Sequence, residues 1–148
     1  MGAINPSIAT AATHYTHQRV YGLDIETDTS RGGLDPAVAP IVAVALCGDG
    51  WSSVFDGDEV DIVRELDEAI AELPPGVLVT WNGSRFDLPF LADRARLLGL
   101  GLGLELAPDP HHRSRHEPLP GHAGGYIASW HQQRHLDAYA VYVSLIHI

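Results

Sequence analysis

The sequence contains no lysine, and its nine basic residues are all arginine. Against them stand 19 acidic residues, for a formal charge of −10. That balance excludes non-specific binding of a polyanion by a basic surface. It does not exclude a metal-loaded acidic site, because carboxylates holding a divalent cation attract phosphate although they are counted here as negative. Arginine suits bidentate phosphate contact, and an all-arginine set is equally what GC-rich coding produces. The single cysteine, Cys47, excludes a disulfide framework and a thiolate metal cluster. Its place in the apolar run Ile41–Cys47 predicts an inert core position. No apolar stretch is long enough to span a membrane, so no membrane partner is expected. The start of the chain lacks the basic residues and apolar run of a signal peptide, which makes a reducing cytoplasm the expected compartment. There is no Gly-x-x-x-x-Gly-Lys phosphate loop, and Ser84 has no histidine base at a recognisable spacing. No internal repeat is present.

What is there fits one domain with a real core: 148 residues, 45% of them hydrophobic. Residues 1–18 are small, polar and aperiodic and read as a flexible arm; 19–148 read as the folded domain. Arg19–Ile25 is the first strand, and 28–40, with Arg31-Gly32-Gly33 and two prolines, is a loop. Ile41–Cys47 suits a buried strand. The turn Gly48-Asp49-Gly50 sends the chain back along Trp51–Phe55, giving an antiparallel meander of three strands. Asp58 caps a helix whose apolar face is Ile62, Val63, Leu66, Ile70 and Leu73. Pro74-Pro75-Gly76 stops it. The apolar strand Val77–Trp81 follows, central and parallel to the first strand. Asn82–Phe86 is a loop, and Asp87 is the expected cap of a second helix that ends at Gly99. Leu102–Leu106 is a candidate strand weakened by its glycines. The stretch 108–125 reads as a long exposed loop. Tyr126–Trp130 and Arg134–Tyr142 read as two strands, or as a strand and the start of a helix.

The chemistry concentrates in two segments. In Tyr21-Gly22-Leu23-Asp24-Ile25-Glu26-Thr27, two carboxylates stand at i and i+2 on a strand end. They therefore share a face, with Cα atoms about 6–7 Å apart, while Leu23 and Ile25 face the core. Such a pair suits a hard divalent cation, and with a third carboxylate it suits two. The second segment, Trp81-Asn82-Gly83-Ser84-Arg85-Phe86-Asp87-Leu88-Pro89, leaves a strand parallel to the first. It places Asp87 at a strand's carboxyl end, where α/β sheets carry their sites. Neighbouring strands lie about 4.8 Å apart, so Asp87 can face Asp24 and Glu26 across a shared site.

At these residues the sequence resembles a family. Asp24-Ile25-Glu26-Thr27 is similar to the first motif of the DEDD-type 3′–5′ exonucleases, which have a ribonuclease H-like fold. Asn82-Gly83-Ser84-Arg85-Phe86-Asp87-Leu88-Pro89 is similar to their second motif, in the form found in the proofreading domains of family B DNA polymerases. Arg134-His135-Leu136-Asp137-Ala138-Tyr139 resembles the strand segment that follows. The resemblance implies an α/β, ribonuclease H-like mixed sheet: three antiparallel strands, then parallel strands, flanked by helices. It implies two Mg²⁺ or Mn²⁺ ions that bridge the 3′-terminal phosphodiester. Asp24 would bridge both ions, Glu26 would hold the one that activates water, and Asp87 would bind the other. Thr27 would contact the terminal nucleotide, and Asn82 and Phe86 would position the strand. The implied partners are single-stranded DNA or RNA 3′ ends; whether the domain works alone or with a polymerase or replication/repair assembly stays open.

The family also has a fourth carboxylate, in a Tyr-x-x-x-Asp or His-x-x-x-x-Asp motif. Here Tyr126, Tyr139 and Tyr142 are followed four residues on by Trp130, Val143 and Ile146. The expectation is a domain truncated at its C-terminus, with that motif beyond Ile148. Asp137 is a weaker candidate for the missing ligand. A non-catalytic nucleic-acid-binding or interaction module on the same fold is the alternative. His111, His112, His116 and His122 crowd one loop with Arg113 and Arg115, but a Pro/Gly-rich loop without cysteine supports a zinc site poorly. A solvated loop is the expectation there.

Overall fold

The computed structural model describes residues 18–31, 33–113 and 117–146. The arm expected over 1–18 lies, but for Gln18, outside the described residues, as do the side chains of His112, Arg113, Arg115 and His116.

Seven strands form one sheet: β1 (Arg19–Thr27), β2 (Ile41–Gly48), β3 (Trp51–Asp56), β4 (Gly76–Thr80), β5 (Leu104–Arg113), β6 (Gly124–Trp130) and β7 (Gln133–Asp137). Their order across the sheet is β3-β2-β1-β4-β7-β6-β5. The meander β1–β2–β3 is antiparallel, and β4 pairs parallel to β1, with Gly22 opposite Val79. β7 continues the parallel run beside β4, with Asp137 opposite Thr80. The sheet then turns antiparallel again through β6 and β5. Three parallel strands thus sit at the centre of an α/β sheet, and their carboxyl ends share one edge.

Helix α1 (Glu59–Glu72) starts as expected: Asp58 accepts from the Val60 amide at 3.0 Å, and Glu59 and Asp61 favour the positive end of its dipole. Its buried face is Ile62, Val63, Leu66 and Ile70. With Tyr21, Leu23 and Ile25 of β1 and Val44 and Leu46 of β2 it forms the core. Helix α2 (Asp87–Leu97) adds Leu88, Phe90, Leu91 and Ala95. Glu59 and Arg94, both largely buried, join the two helices. The guanidinium donates to Glu59 at 2.7 and 2.5 Å and to the Pro36 carbonyl at 2.9 Å, while Glu59 also accepts from the Ile41 amide at 2.8 Å. One ion pair therefore fixes both helices, the start of β2 and the loop before it. Helix α3 (Ala138–Ile146) has no buried residue. No helix among the described residues is long and apolar enough to cross a membrane.

Three expectations need correction. Cys47 is exposed, not core. Only one face of β2 is covered, so Val42, Ala45 and Cys47 point outward while Ile41, Val44 and Leu46 are buried. Gly22 stands opposite Cys47, and a Cβ there would lie 2.8 Å from the Cys47 Sγ. The stretch 108–125 is not one long loop: β5 runs to Arg113 and β6 begins at Gly124. Pro108 and Pro110 are tolerated because β5 is an edge strand, where a missing N–H breaks no interior ladder. Asp87 does not cap α2; Phe86 holds that position, without a side-chain cap hydrogen bond.

Candidate functional site

The carboxyl ends of β1, β4 and β7 are bridged by the loop 81–86. Asn82 has φ 63°, a left-handed conformation that asparagine tolerates better than most residues. Its carbonyl accepts from the Arg85 and Phe86 amides at 3.2 and 3.1 Å. Gly83 is the next requirement, since a Cβ there would fall 2.2 Å from the Thr80 Oγ1. The Thr80 hydroxyl oxygen accepts from the Gly83 amide at 3.1 Å and lies 2.7 Å from His135 Nε2. Burial depresses the His135 pKa, opposed by the charge of Asp137, so the ring is held toward its neutral form.

Asp137, at the end of β7, straps this loop. Oδ1 accepts from the Asn82 and Tyr139 amides at 2.9 and 3.0 Å, and Oδ2 from the Ser84 amide and hydroxyl at 3.1 and 2.5 Å. Both oxygens of this buried carboxylate are taken up by protein donors. As a stand-in for a fourth metal ligand it is therefore poorly placed, because a cation would have to displace those bonds. Ser84 is buried here as a donor to the strap, a role its sequence context does not announce. The Ser84 carbonyl in turn accepts from the Tyr126 amide at 3.0 Å, tying the loop to β6 as well.

The strapped loop delivers Asp87 against β1. Its Oδ1 accepts from the Ile25 amide at 3.3 Å, between Asp24 and Glu26 in the sequence. Asp87 is 3% exposed and Asp24 is exposed, and both line an open cleft of about 360 Å³ with Trp81, Asn82, Phe86 and Tyr139. Burial pushes the Asp87 carboxyl up to about 7; the Asp24 and Asp137 charges push the same way, while its own backbone amide and that of Ile25 pull it down. Glu26 is exposed on β1 and lies outside this cleft's lining. The β1–β2 register slips between Glu26 and Thr27, and Thr27, opposite Ile41, is half-buried. Among the described residues no group of three or more His, Cys, Asp or Glu side chains is close enough, as it stands, to hold a metal ion. Two carboxylates around an open cleft nevertheless suit one hard divalent ion, which keeps several waters and takes further ligands from a phosphate.

Phe86 is half-buried, packs on Phe90 with ring centroids 5.4 Å apart, and lines this cleft and a neighbouring one. Trp81 and Tyr139, in edge contact with ring centroids 5.4 Å apart, also line the cleft. Both stand in segments that the sequence singles out, but the sequence assigns neither of them a place at the cleft. His122, one of the clustered histidines, is held by Asp93 at 2.7 Å and the Tyr126 hydroxyl at 2.5 Å. It is engaged with protein groups rather than free for a metal, and His111 is exposed.

The acidic cleft at the carboxyl ends of parallel strands, with its buried aspartate, lies where α/β sheets carry their sites. Comparison with known proteins sharpens this. Residues 54–105 match the family model described as DNA polymerase family B, exonuclease domain. DNA polymerase 2 of Aeropyrum pernix is 30% identical over 115 residues, 75% of this chain and 13% of that protein. The DNA polymerase of Pyrococcus glycovorans is 30% identical over 98 residues, 58% of this chain and 12% of that protein. The solved family B DNA polymerase of Pyrobaculum calidifontis superposes with a TM-score of 0.63 at 27% identity, over 86% of this chain and 16% of that one. The chain holds an exonuclease-like domain homologous to that of family B DNA polymerases. It spans about 13% of the length of the Aeropyrum relative.

Proposed function

We propose that this domain is a metal-dependent 3′–5′ exonuclease that removes nucleotides from single-stranded DNA ends. The observation that carries the reading is the pairing of Asp24 and Asp87 on one cleft, with Asp87 pushed up to about 7 by burial and by its acidic neighbours. Two carboxylates whose charges oppose each other are a site that a cation would relieve. Asp24 and Asp87 would hold the ion, and Glu26, by turning toward the cleft, would complete a site for a second. When bound, such ions lower the pKa of an attacking water and stabilise the leaving 3′-oxygen. Asp87 would give up its proton as the cation enters. Thr27 and Asn82 would orient the terminal nucleotide, and Phe86 would stack on a base. Asp137 and Ser84 act through the loop that carries Asn82 and Phe86. The proposed setting is a reducing cytoplasm, with a polymerase or repair assembly as partner.

The test is digestion of a 5′-labelled single-stranded oligodeoxynucleotide with Mg²⁺ or Mn²⁺. The expected result is a ladder shortening from the 3′ end, abolished by a blocked 3′ terminus and by Asp24→Asn. Full activity in Asp24→Asn, or cleavage indifferent to the 3′ block, would overturn the reading. A second reading, a non-catalytic nucleic-acid-binding module, is favoured by the count of two rather than three gathered carboxylates. It expects oligonucleotide binding with no digestion.

A further inference from the structure

The sheet has two edge strands, β5 and β3. An edge strand turns the N–H and C=O of every second residue away from its neighbour, where another strand can pair with them. Folds blunt such an edge with proline, a bulge or a basic side chain. β5 is blunted: it carries Pro108 and Pro110, and its register with β6 slips between Pro108 and Arg113. β3, Trp51-Ser52-Ser53-Val54-Phe55-Asp56, is not. It has no proline and no basic residue, and its register with β2 is unbroken, from Trp51 opposite Gly48 to Asp56 opposite Ala43. Five of its six residues are exposed, and Val54 is 66% exposed. Among the described residues no strand pairs with its outer side.

The surroundings of this open edge are acidic. From Gly48 to Val63 the chain has five acids and no basic residue. Three of the five are engaged: Glu59 with Arg94, Asp61 with Arg64, and Asp58 with the Val60 amide. The other two, Asp49 in the turn before β3 and Asp56 at its end, are exposed and make no hydrogen bond or ion pair among the described residues. They stand at either end of the edge. Val54 and Asp56, two apart, share one face, that of exposed Ala45 rather than of buried Val44 and Leu46. Trp51 is on the other face, its ring centroid 6.3 Å from that of Tyr21. Pairing of β3 with the same strand of a second copy would bring together two chains of charge −10, with Asp49 and Asp56 of both on the shared edge. Repulsion disfavours that pairing, and the same charge favours a basic strand.

We infer that β3 is a docking edge for an extended, basic segment of a protein partner, which joins the sheet as a further strand. Backbone hydrogen bonds along the edge supply the affinity, and side-chain pairs supply the selectivity. In antiparallel pairing a basic residue opposite Asp56 and an apolar residue opposite Val54 stand two apart in the partner. A second basic residue, opposite Trp51, lies against its ring and beside Asp49. The recognised pattern is therefore basic, any, apolar, any, any, basic. No residue of this edge lines either cleft, so the inference is independent of the nuclease reading.

The test is fluorescence anisotropy of the peptide Arg-Thr-Val-Thr-Val-Arg, amidated and labelled through a glycine linker, titrated with the full chain. Saturable binding is expected, with a Kd of about 0.1 mM or tighter at low salt, weakening as salt rises. Val54→Lys, which sets a blunting charge on the edge, and Asp56→Arg each weaken it about 5- to 10-fold. A peptide with glutamate for the first arginine binds Asp56→Arg better than it binds the parent. Methylation of alternate backbone nitrogens abolishes binding in one of its two phases and spares it in the other, which a purely electrostatic encounter does not do. Val54 and Asp56 are exposed, so the substitutions leave the fold intact, checked by an unchanged thermal midpoint. No saturation up to about 1 mM, identical behaviour of the two methylated peptides, or binding indifferent to Asp56→Arg would overturn the docking edge. A dimer of the chain that Val54→Lys dissociates in sedimentation would overturn the choice of partner, giving the edge to a second copy.

Discussion

The amide of Ile25 donates to Asp87 Oδ1 at 3.3 Å, across 62 positions of sequence. That bond keys the start of α2 to β1 between the two outward carboxylates of the strand. It also explains why Asp87 is inside the protein at all. A carboxylate 3% exposed is otherwise costly, and the backbone amides of Asp87 and Ile25 offset only part of the cost.

The pH dependence of stability follows from Asp87. Its folded pKa, about 7, lies above its ordinary value of 3.8. The folded state therefore binds the proton more tightly, and the stability linked to this group is fully present below about pH 4 and lost as pH rises toward and through 7. Asp87→Asn keeps an acceptor for the Ile25 amide and removes the charge. It is expected to stabilise the metal-free chain at pH 8 by about 1–3 kcal/mol and to change little at pH 4. Urea unfolding at the two pH values measures this.

Asp137 is the strap of the site loop, not a bystander at a strand end. Asp137→Ala leaves the Asn82, Ser84 and Tyr139 amides and the Ser84 hydroxyl without their acceptor. The expected loss is about 3 kcal/mol or more. Hydrogen exchange should rise first at residues 82–84. An exchange pattern unchanged in this loop would contradict the strap.

Gly83→Ala sets a Cβ 2.2 Å from the oxygen of Thr80, which is itself 3% exposed and hydrogen-bonded to His135. The neighbour has no room to withdraw. The expected cost is about 2–4 kcal/mol, and Gly83→Ala with Thr80→Ser should recover little, because the hydroxyl remains.

Much of this was legible in the sequence, and the reason is local. Strand periodicity gave β1 to β4, and the Asp58 cap with its apolar face gave α1. The pairing of two acidic motifs at the ends of parallel strands gave the neighbourhood of Asp24 and Asp87. What failed depended on partners far along the chain. The exposure of Cys47 follows from which face of β2 is covered, and the course of β5 from its pairing with β6. Neither is written in the local pattern of prolines or apolar residues. Asp87 looks like a cap because caps are local; its acceptor role toward Ile25 exists only once β1 and β4 are side by side. Trp81 and Tyr139 stand in the quoted motif segments, but the cleft they line is formed by separated segments and is not written in either one.

The ion pair between Arg94 and Glu59 makes a prediction for the scaffold. Both side chains are about 12–13% exposed, and the guanidinium is bidentate. Arg94→Ala leaves a buried carboxylate unpaired and should cost about 3–5 kcal/mol. Arg94→Lys should recover little of it, because an ammonium cannot reproduce the fork or reach the Pro36 carbonyl at the same time. Thermal unfolding of the two variants decides this.

The most direct measurement is a titration of Mn²⁺ into the chain near neutral pH, followed by electron paramagnetic resonance, beside Asp24→Asn and Asp87→Asn. Saturable binding is expected in the parent at millimolar Mn²⁺ or below, with release of about half a proton from Asp87 at pH 7 and loss of the site in both variants. Free Mn²⁺ signal throughout, to about 10 mM, or binding unchanged by either substitution, would contradict a cation site shared by Asp24 and Asp87.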